Sequence, residues 1–214
     1  MSDYISRLQI SATVFLKNKN YDKGIPVLVR IEKEADFPQN KTFAQANLMK
    51  CYYETKDYPN SVIYADKVLA NPKAEENVKS DAQIIVARSA MQSGDEAKGK
   101  TAYAKLLTVG KGELAAEALY YDAYFKNKDG KFELSNTAIQ KLAKNYSSYR
   151  YFGAKGLVLM AKNYYGLKDS FQATYVLENV IENFTDYSDV VDEAKTELNI
   201  IKTEEAKTNS SITK

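Results

Sequence analysis

Small and apolar residues recur along the chain with a period of 36 to 38 residues. Small residues stand at Gly24, Ser61, Gly99, Ser135 and Ala173, so that the successive spacings are 37, 38, 36 and 38. Apolar or small residues follow each of them after four and after seven positions, which are offsets on one face of an α-helix. A second series lies twelve positions earlier, at Ala12, Met49, Ala87, Ala123 and Ala161. The pattern predicts two helices in each period.

A short polar break separates the two helices of each period, as in Lys56-Asp57 and Gly94-Asp95. Asn, Asp and Gly at such a break can end one helix and cap the next. The sequence therefore predicts five helix–turn–helix repeats, at about residues 4–38, 41–73, 74–110, 111–147 and 148–186. Because one repeat cannot bury its apolar face alone, we expect the repeats to stack into a solenoid.

The two ends of the predicted solenoid differ. Ser188 is a candidate N-cap for one further helix, over 187–204, whose apolar positions would cover the last repeat. The polar stretch 205–214 is expected to be a disordered tail. We therefore expect one all-α solenoid over residues 1–204. Repeat one begins almost at Met1 without a comparable cap, which suggests that the chain is the C-terminal part of a longer solenoid.

The repeat resembles the tetratricopeptide repeat (TPR). That family's signature joins a small residue and an aromatic on the first helix to an aromatic and a small residue on the second. It stands here as Met49, Tyr52, Tyr58 and Ser61 in the second repeat, and as Ala161, Tyr164, Phe171 and Ala173 in the fifth. The resemblance covers residues 4 to 186 and implies a right-handed α-α superhelix.

The fourth repeat departs most from the TPR pattern. Asp122 and Lys126 stand where the family has apolar residues. An insertion in the turn at 126–131 is one interpretation of this departure. The period is also longer than the usual 34 residues, which implies longer helices or loops.

The stretch from 149 to 184 resembles the C-terminal end of large TPR proteins of the bacterial cell envelope. The resemblance rests on 149–155, on Met160-Ala161 and on 173–184. It implies a periplasmic or outer-membrane-associated protein with further TPR repeats N-terminal to this chain. The alternative is a complete cytoplasmic TPR adaptor, since residues 1–7 lack the features of a signal peptide and no apolar run is long enough to span a membrane.

Composition excludes several kinds of chemistry. The chain has no histidine and one cysteine, so that histidine-based catalysis, His-ligated metal and an intrachain disulfide are excluded. A net charge of +2 argues against a nucleic-acid partner, because such binding depends on a concentrated positive field. We expect a non-catalytic protein with no cofactor, no metal and no direct membrane insertion.

Residues 94–101 match the P-loop pattern GxxxxGK[ST], in which backbone amides would hold phosphates, with Lys100 on the terminal phosphate and Thr101 on Mg²⁺. A P-loop follows a buried strand, whereas helical spacing precedes this segment. The repeat also accounts for Gly94 as a turn residue and for Gly99 as a packing residue. A nucleotide site is therefore the least favoured interpretation. Cys51 is expected to be a partly buried helix residue and not a reactive thiol.

The TPR resemblance implies that the first helix of each repeat lines a concave groove, and we expect this groove to bind a protein or peptide partner. Aromatic side chains there would provide rigid contact area. Lys50, Arg88 and Lys162 occupy equivalent positions and would form a basic line. Contacts through the edges or the convex face are the alternative. The candidate groove residues are Gln9, Thr13, Phe43, Lys50, Tyr53, Asp81, Arg88, Met91, Tyr120, Tyr124, Lys155, Lys162 and Tyr165.

Two further expectations concern this groove. TPR proteins that bind chaperone tails hold a terminal carboxylate with a Lys/Asn/Arg set, and Gln9 and Thr13 at the equivalent places depart from it. The four tyrosines Tyr53, Tyr120, Tyr124 and Tyr165 are the groove positions whose replacement would test partner binding first.

The ten residues of the two small-residue series, from Ala12 to Ala173, are expected to pack the repeats together.

Overall fold

The structure is a computed structural model that describes the backbone of residues 2–212 and the side chains of residues 3–207. This part of the chain is all-α, with no strand. Its helices are α1 (Ser2–Lys17), α2 (Tyr21–Glu34), α3 (Pro38–Glu54), α4 (Tyr58–Ala70), α5 (Glu76–Ser93), α6 (Glu96–Val109), α7 (Gly112–Lys128), α8 (Phe132–Asn145), α9 (Arg150–Gly166), α10 (Ser170–Asn183) and α11 (Ser188–Ile212).

The turn between the two helices of each predicted repeat has the same backbone geometry. One residue in each has a positive φ, between 54° and 81°, and these residues are Lys19, Lys56, Gly94, Gly130 and Lys168. The next backbone N–H closes the turn on a carbonyl five residues earlier, at 2.8–2.9 Å in all five turns. This is the Schellman arrangement, which satisfies carbonyls left open at the end of a helix. The five turns follow the spacing of the small residues.

This geometry settles the register of the fourth repeat. Gly130 lies five residues before Ser135, as Gly94 lies five residues before Gly99. The backbone N–H of Lys131 donates to the carbonyl of Lys126 at 2.8 Å, as in the other turns. The suggested insertion at 126–131 is therefore wrong. The shorter period of 36 residues arises elsewhere, and the polar Asp122 and Lys126 instead form an ion pair at 2.6 Å.

The chain forms two compact units, Met1–Ala102 and Tyr103–Lys214. In unit 1, α1 to α5 pack consecutively, and α3 also contacts α5. In unit 2, α7 to α11 pack consecutively, with further contacts of α9 with α7 and with α11. We call the side formed by α1, α3 and α5 in unit 1, and by α7, α9 and α11 in unit 2, the first-helix face. One continuous solenoid over 1–204 stays a prediction.

A serine at the small position joins the two helices of its repeat by a hydrogen bond. Ser61 donates its hydroxyl to the carbonyl of Met49 at 2.9 Å, and Ser135 donates to the carbonyl of Ala123 at 2.8 Å. Each hydroxyl also accepts a bond from the first helix of the next repeat, 28 residues on. Ser89 donates to Ser61 at 3.4 Å and Asn163 donates to Ser135 at 2.8 Å. One buried hydroxyl thus joins three helices.

The last helix is longer than expected. It runs from Ser188 to Ile212, whereas the sequence placed its end at 204 and a disordered tail at 205–214. Contacts to the rest of unit 2 extend along it, because Lys202 pairs with Glu178 at 3.1 Å and Tyr165 donates a hydrogen bond to Glu204. Residues 204–207 are good helix formers. The last two residues of the predicted tail, Thr213 and Lys214, lie outside the described residues.

Candidate functional site

The residues of the two small-residue series are all buried. They lie where helices of one repeat meet, so that a larger residue would separate them. A Cβ at Gly24 would lie 2.9 Å from Cδ1 of Leu16, and one at Gly99 would collide with Sδ of Met91. The buried set is Ala12, Gly24, Met49, Ser61, Ala87, Gly99, Ala123, Ser135, Ala161 and Ala173.

A cleft of about 430 Å³ lies between α1 and α3 on the first-helix face of unit 1. Two predicted groove residues of α1, Gln9 and Thr13, line it, together with Phe43 of α3. Ile10 and Val14 line it as well and are 66% and 52% exposed. Gln9 donates a hydrogen bond to Asn40 at 3.2 Å, which joins the two helices at this cleft. The cleft combines two exposed aliphatic side chains with a half-buried ring.

A second cleft, of about 530 Å³, lies on the other side of Phe43. It is bounded by α3, by the start of α5 and by the loop before α5, which supplies Lys73 and Glu75. Lys50 lines this cleft and forms an ion pair with Asp81 of α5 at 2.6 Å. Phe43 therefore lines both clefts, and the second is also lined by a lysine whose charge is paired.

The other groove residues predicted in unit 1 are half-buried at the α5 side. Tyr53 packs edge-on against Tyr58, with the ring centroids 6.0 Å apart. Met91 packs over Gly99, so that its thioether takes part in the packing of α5 on α6. Arg88 is half-buried on the same helix. Since Lys50 is paired with Asp81, it does not present the unpaired charge that the predicted basic line would need.

Tyr120 is the clearest departure from the predicted groove. The sequence placed it on the open face of α7, but its side chain is only 7% exposed. It packs in a cluster with Ala116, Leu119 and Leu142, and its ring lies 6.3 Å from that of Phe152. The tyrosine ring is enclosed because Phe152 of the next first helix, α9, packs against it. Burial raises the pKa of the Tyr120 hydroxyl.

The remaining predicted residues of unit 2 have contacts of their own. Lys162 pairs with Glu193 at 2.7 Å and with Glu197 at 3.1 Å, both on α11. Tyr165 donates to Glu204. The predicted basic line is therefore neutralised at Lys162 as well. Tyr124 and Lys155 lie in an aromatic cluster on α7 and α9. The half-buried ring of Tyr124 packs edge-on against those of Tyr121 and Phe125, with centroids 6.0 and 5.3 Å away.

Sequence reasoning missed two kinds of residue. Ile10 and Val14 lie between the positions assigned to the groove, yet they are the most exposed aliphatic side chains of the first cleft. Their spacing of four residues on a helix is the signal that could have found them. The acidic residues of α11 that pair with Lys162 were missed because the groove was predicted from the first helix of each repeat alone. Glu193 stands 31 residues after Lys162, as Asp81 stands 31 after Lys50.

The P-loop-like segment lies on a helix–turn–helix. Gly94 ends α5 with a φ of 81°, and α6 begins at Glu96, so that six of the eight pattern residues are helical. Thr101 donates its hydroxyl to the carbonyl of Ala97 at 3.1 Å. The segment follows a helix, whereas a P-loop follows a strand.

Cys51 lies within the core of unit 1. Burial, and next the charge of Glu54, raise the pKa of its thiol to about 11. A thiol with such a pKa is almost entirely protonated at neutral pH, and the thiolate is the nucleophilic form. The side chain therefore acts as a small apolar packing residue.

No helix among residues 2–212 is both long and apolar enough to cross a membrane. The described side chains contain no group of three or more acidic or sulfur ligands placed to hold a metal ion. No protein-family model and no curated protein sequence matches the chain.

Proposed function

We propose that the chain is a non-catalytic protein-interaction module that binds a segment of a partner protein along the first-helix face of unit 1. The observation that carries this proposal is the pair of clefts on either side of Phe43. Exposed apolar side chains that line a concave surface favour burial by a partner, since their contact with water costs free energy.

The partner segment would place apolar side chains on Ile10, Val14 and Phe43. Its polar groups would meet the second cleft, where Lys73 and Glu75 offer charges of both signs. Clefts of this size accept two or three side chains of a peptide and not a folded domain. Aromatic and aliphatic anchors of this kind supply most of the affinity in protein interfaces.

We further propose that the fold is a TPR-type right-handed superhelix. Five turns of one geometry, with the small residues at a constant distance from each turn, support this assignment. An equal turn and equal packing in each repeat produce a constant rotation between repeats, which is the origin of a superhelix.

The cellular setting is also a proposal. The resemblance of 149–184 to envelope TPR proteins supports a periplasmic or outer-membrane-associated scaffold with further repeats before residue 1. A cytoplasmic adaptor is the alternative. Fractionation of cells that produce the protein from its own gene, followed by detection in the periplasmic, membrane and cytoplasmic fractions, would decide between them.

The groove proposal is tested by selecting peptides that bind the protein from a random library and measuring their affinity for variants. We expect the double substitution Ile10→Ser and Val14→Ser, or Phe43→Ala alone, to weaken binding by about tenfold or more, because anchor residues typically contribute more than 1 kcal/mol each. Ile63→Ser is the matched control, since Ile63 is 51% exposed on α4 of the same unit.

Two outcomes would contradict the proposal. Peptides that bind the groove variants as tightly as the wild-type protein would exclude the clefts. Peptides that no longer bind the variants Phe171→Ala and Tyr175→Ala would place binding on α10 of unit 2 instead, where these side chains are 75% and 62% exposed.

A further inference from the structure

The ammonium group of Lys155 lies over two aromatic rings on the first-helix face of unit 2. Its Nζ is 4.9 Å from the ring centroid of Tyr120 and 5.7 Å from that of Tyr151. Both distances are within the range of a cation–π contact. The side chain is half-buried, and it has no carboxylate partner among the described residues.

This lack of an acidic partner distinguishes Lys155 from Lys50 and Lys162, the two other lysines predicted to line the groove. Lys50 of unit 1 pairs with Asp81, and Lys162 of unit 2 pairs with two glutamates. Lys155 stands six residues before Ala161, the same place that Asp81 occupies before Ala87. A cation has thus replaced the anion of unit 1.

The acidic residues of α11 nearest to this cluster are already engaged. Asp189 accepts a hydrogen bond from the hydroxyl of Tyr151 at 2.8 Å, and Glu193 accepts one from Lys162 at 2.7 Å. Their charges also limit what Lys155 can attract. Asp189, Glu193 and Glu197 would repel a ligand with many negative charges, whereas a single carboxylate in direct contact with Lys155 would gain an ion pair.

The hydroxyl of Tyr120 is a second unused donor at the same place. Its ring is buried beside Lys155, but its hydroxyl forms no hydrogen bond with a described residue. Since no fully buried polar atom of the described side chains lacks a partner, this hydroxyl is not completely buried. A carboxylate has two oxygens that accept hydrogen bonds, so that it can use an ammonium and a phenol together.

We propose that Lys155 and Tyr120 form a binding site for one carboxylate, that of an internal Asp or Glu side chain within an otherwise apolar segment of a partner protein. The rings of Tyr151 and Phe152 beside Lys155 supply apolar contact area for the flanking side chains. The proposal rests on the proposed function as an interaction module, but it concerns unit 2 and not the clefts of unit 1.

The test uses two peptides with blocked termini. One carries a single glutamate flanked by leucine and phenylalanine, and the other has glutamine in its place. Both are titrated at low salt into ¹⁵N-labelled full-length protein, and dissociation constants are taken from the amide shifts around residues 120 and 155. We expect the glutamate peptide to bind about tenfold more tightly, as is typical when a hydrogen bond involves a charged group.

The variants identify the residue responsible for this preference. Lys155→Gln should abolish the preference for glutamate, so that both peptides bind with about equal affinity. Lys155→Arg should keep the preference because the charge remains. Tyr120→Phe should reduce it by a smaller factor. Lys144→Gln is the control, since it removes one exposed charge from α8 of the same unit. Circular dichroism confirms that each variant is folded.

Three outcomes would overturn the proposal. The wild-type protein could bind both peptides equally, or Lys155→Gln could keep the full preference for glutamate. A thymidine decanucleotide could also displace the glutamate peptide and bind more tightly through Lys155, which would make this a phosphate site. None of these results depends on Ile10, Val14 or Phe43, so that failure here is distinguishable from failure of the groove proposal.

Discussion

The first-helix faces of the two units have equivalent positions but different contacts. In unit 1, Lys50 forms one ion pair and remains half-exposed, whereas Lys162 in unit 2 forms two and is more buried. At other positions of these faces, Ile10 and Val14 of unit 1 are exposed beside a cleft, whereas Tyr120 of unit 2 is enclosed by its neighbours. One repeat framework can therefore leave its inner face available to a partner or use it for internal packing.

The junctions between repeats differ in the same direction. In unit 1 the bond from Ser89 to Ser61 is long, at 3.4 Å. In unit 2, Asn163 donates to Ser135 at 2.8 Å and to Asn136 at 2.7 Å, and it accepts from Asn127 at 2.7 Å. A network whose members are all satisfied adds rigidity, because every alternative arrangement leaves a buried polar group unpaired. The junction between repeats in unit 2 therefore has more and shorter hydrogen bonds than the junction in unit 1.

The largest expected effect is the difference in stability lost when Tyr120 and Tyr53 are each replaced by alanine. The sequence placed both tyrosines on one groove. Tyr120→Ala should lower the free energy of unfolding by about 3 kcal/mol, because it leaves a cavity among buried side chains. Tyr53→Ala should lower it by about 1 kcal/mol, since that side chain is only partly buried. Urea denaturation followed by circular dichroism measures both values. Equal losses would remove the contrast between the two faces.

The next effect tests the junctions. Asn163→Ala should lower the free energy of unfolding by about 2–3 kcal/mol, because it removes three hydrogen bonds and leaves the buried Asn136 and the half-buried Asn127 with fewer partners. Ser89→Ala should lower it by less than about 1 kcal/mol, because the bond it removes is long. Chemical denaturation of the two variants provides the comparison. A greater loss for Ser89→Ala would show that the junction in unit 1 is the stronger one.

The repeat was predictable from the sequence because it depends on local rules. Small residues such as Gly24 and Ser61 are needed wherever two helix axes approach, and turn residues such as Gly94 are needed wherever the chain reverses. Both kinds of residue therefore recur at regular spacing in the sequence. The three lysines with positive φ, for instance Lys56, were not identified as such, because lysine carries no signal for that conformation.

The face of each helix that a partner would touch was less predictable. Tyr120 was assigned by its register alone, and burial of its ring depends on aromatic residues from a neighbouring first helix, such as Phe152. Likewise, the partners of Lys162 lie on α11, 31 and 35 residues further along the chain. Tertiary neighbours of this kind follow from how helices pack, and one sequence does not determine which side chain faces which.

A smaller effect concerns the ion pairs. Lys162→Met should lower the free energy of unfolding by about 1 kcal/mol at pH 7, and Lys50→Met by less than about 0.5 kcal/mol, because an exposed pair contributes little. Burial alone would lower the pKa of Lys162, but its bonds to Glu193 and Glu197 outweigh burial and raise this pKa. Urea denaturation at several pH values measures the difference between the wild-type protein and Lys162→Met.

The direction of its pH dependence follows from the raised pKa. A lysine whose pKa is higher in the folded than in the unfolded state contributes its full stabilisation below the unfolded pKa, about 10.4. The stabilisation is lost as the pH rises through the folded pKa. The difference between wild type and Lys162→Met should therefore be constant from pH 7 to about 10 and then decrease. A decrease that begins near neutral pH would contradict the assignment to Lys162.

The smallest effect is expected to be the same in both units, because the turns are the same. Lys56→Gly in unit 1 and Lys168→Gly in unit 2 should each raise the free energy of unfolding by about 0.5–1 kcal/mol, since a positive φ is unfavourable for a residue with a Cβ. Gly94→Ala and Gly130→Ala are the reverse substitutions and should lower it by about 1 kcal/mol, although an added Cβ meets no atom within 4 Å at either site. Denaturation in urea measures all four changes. Similar changes in the two units would show that the turns contribute equally to stability and that the units differ only in the side-chain contacts of their helices. Unequal changes would show that the turns differ in energy as well.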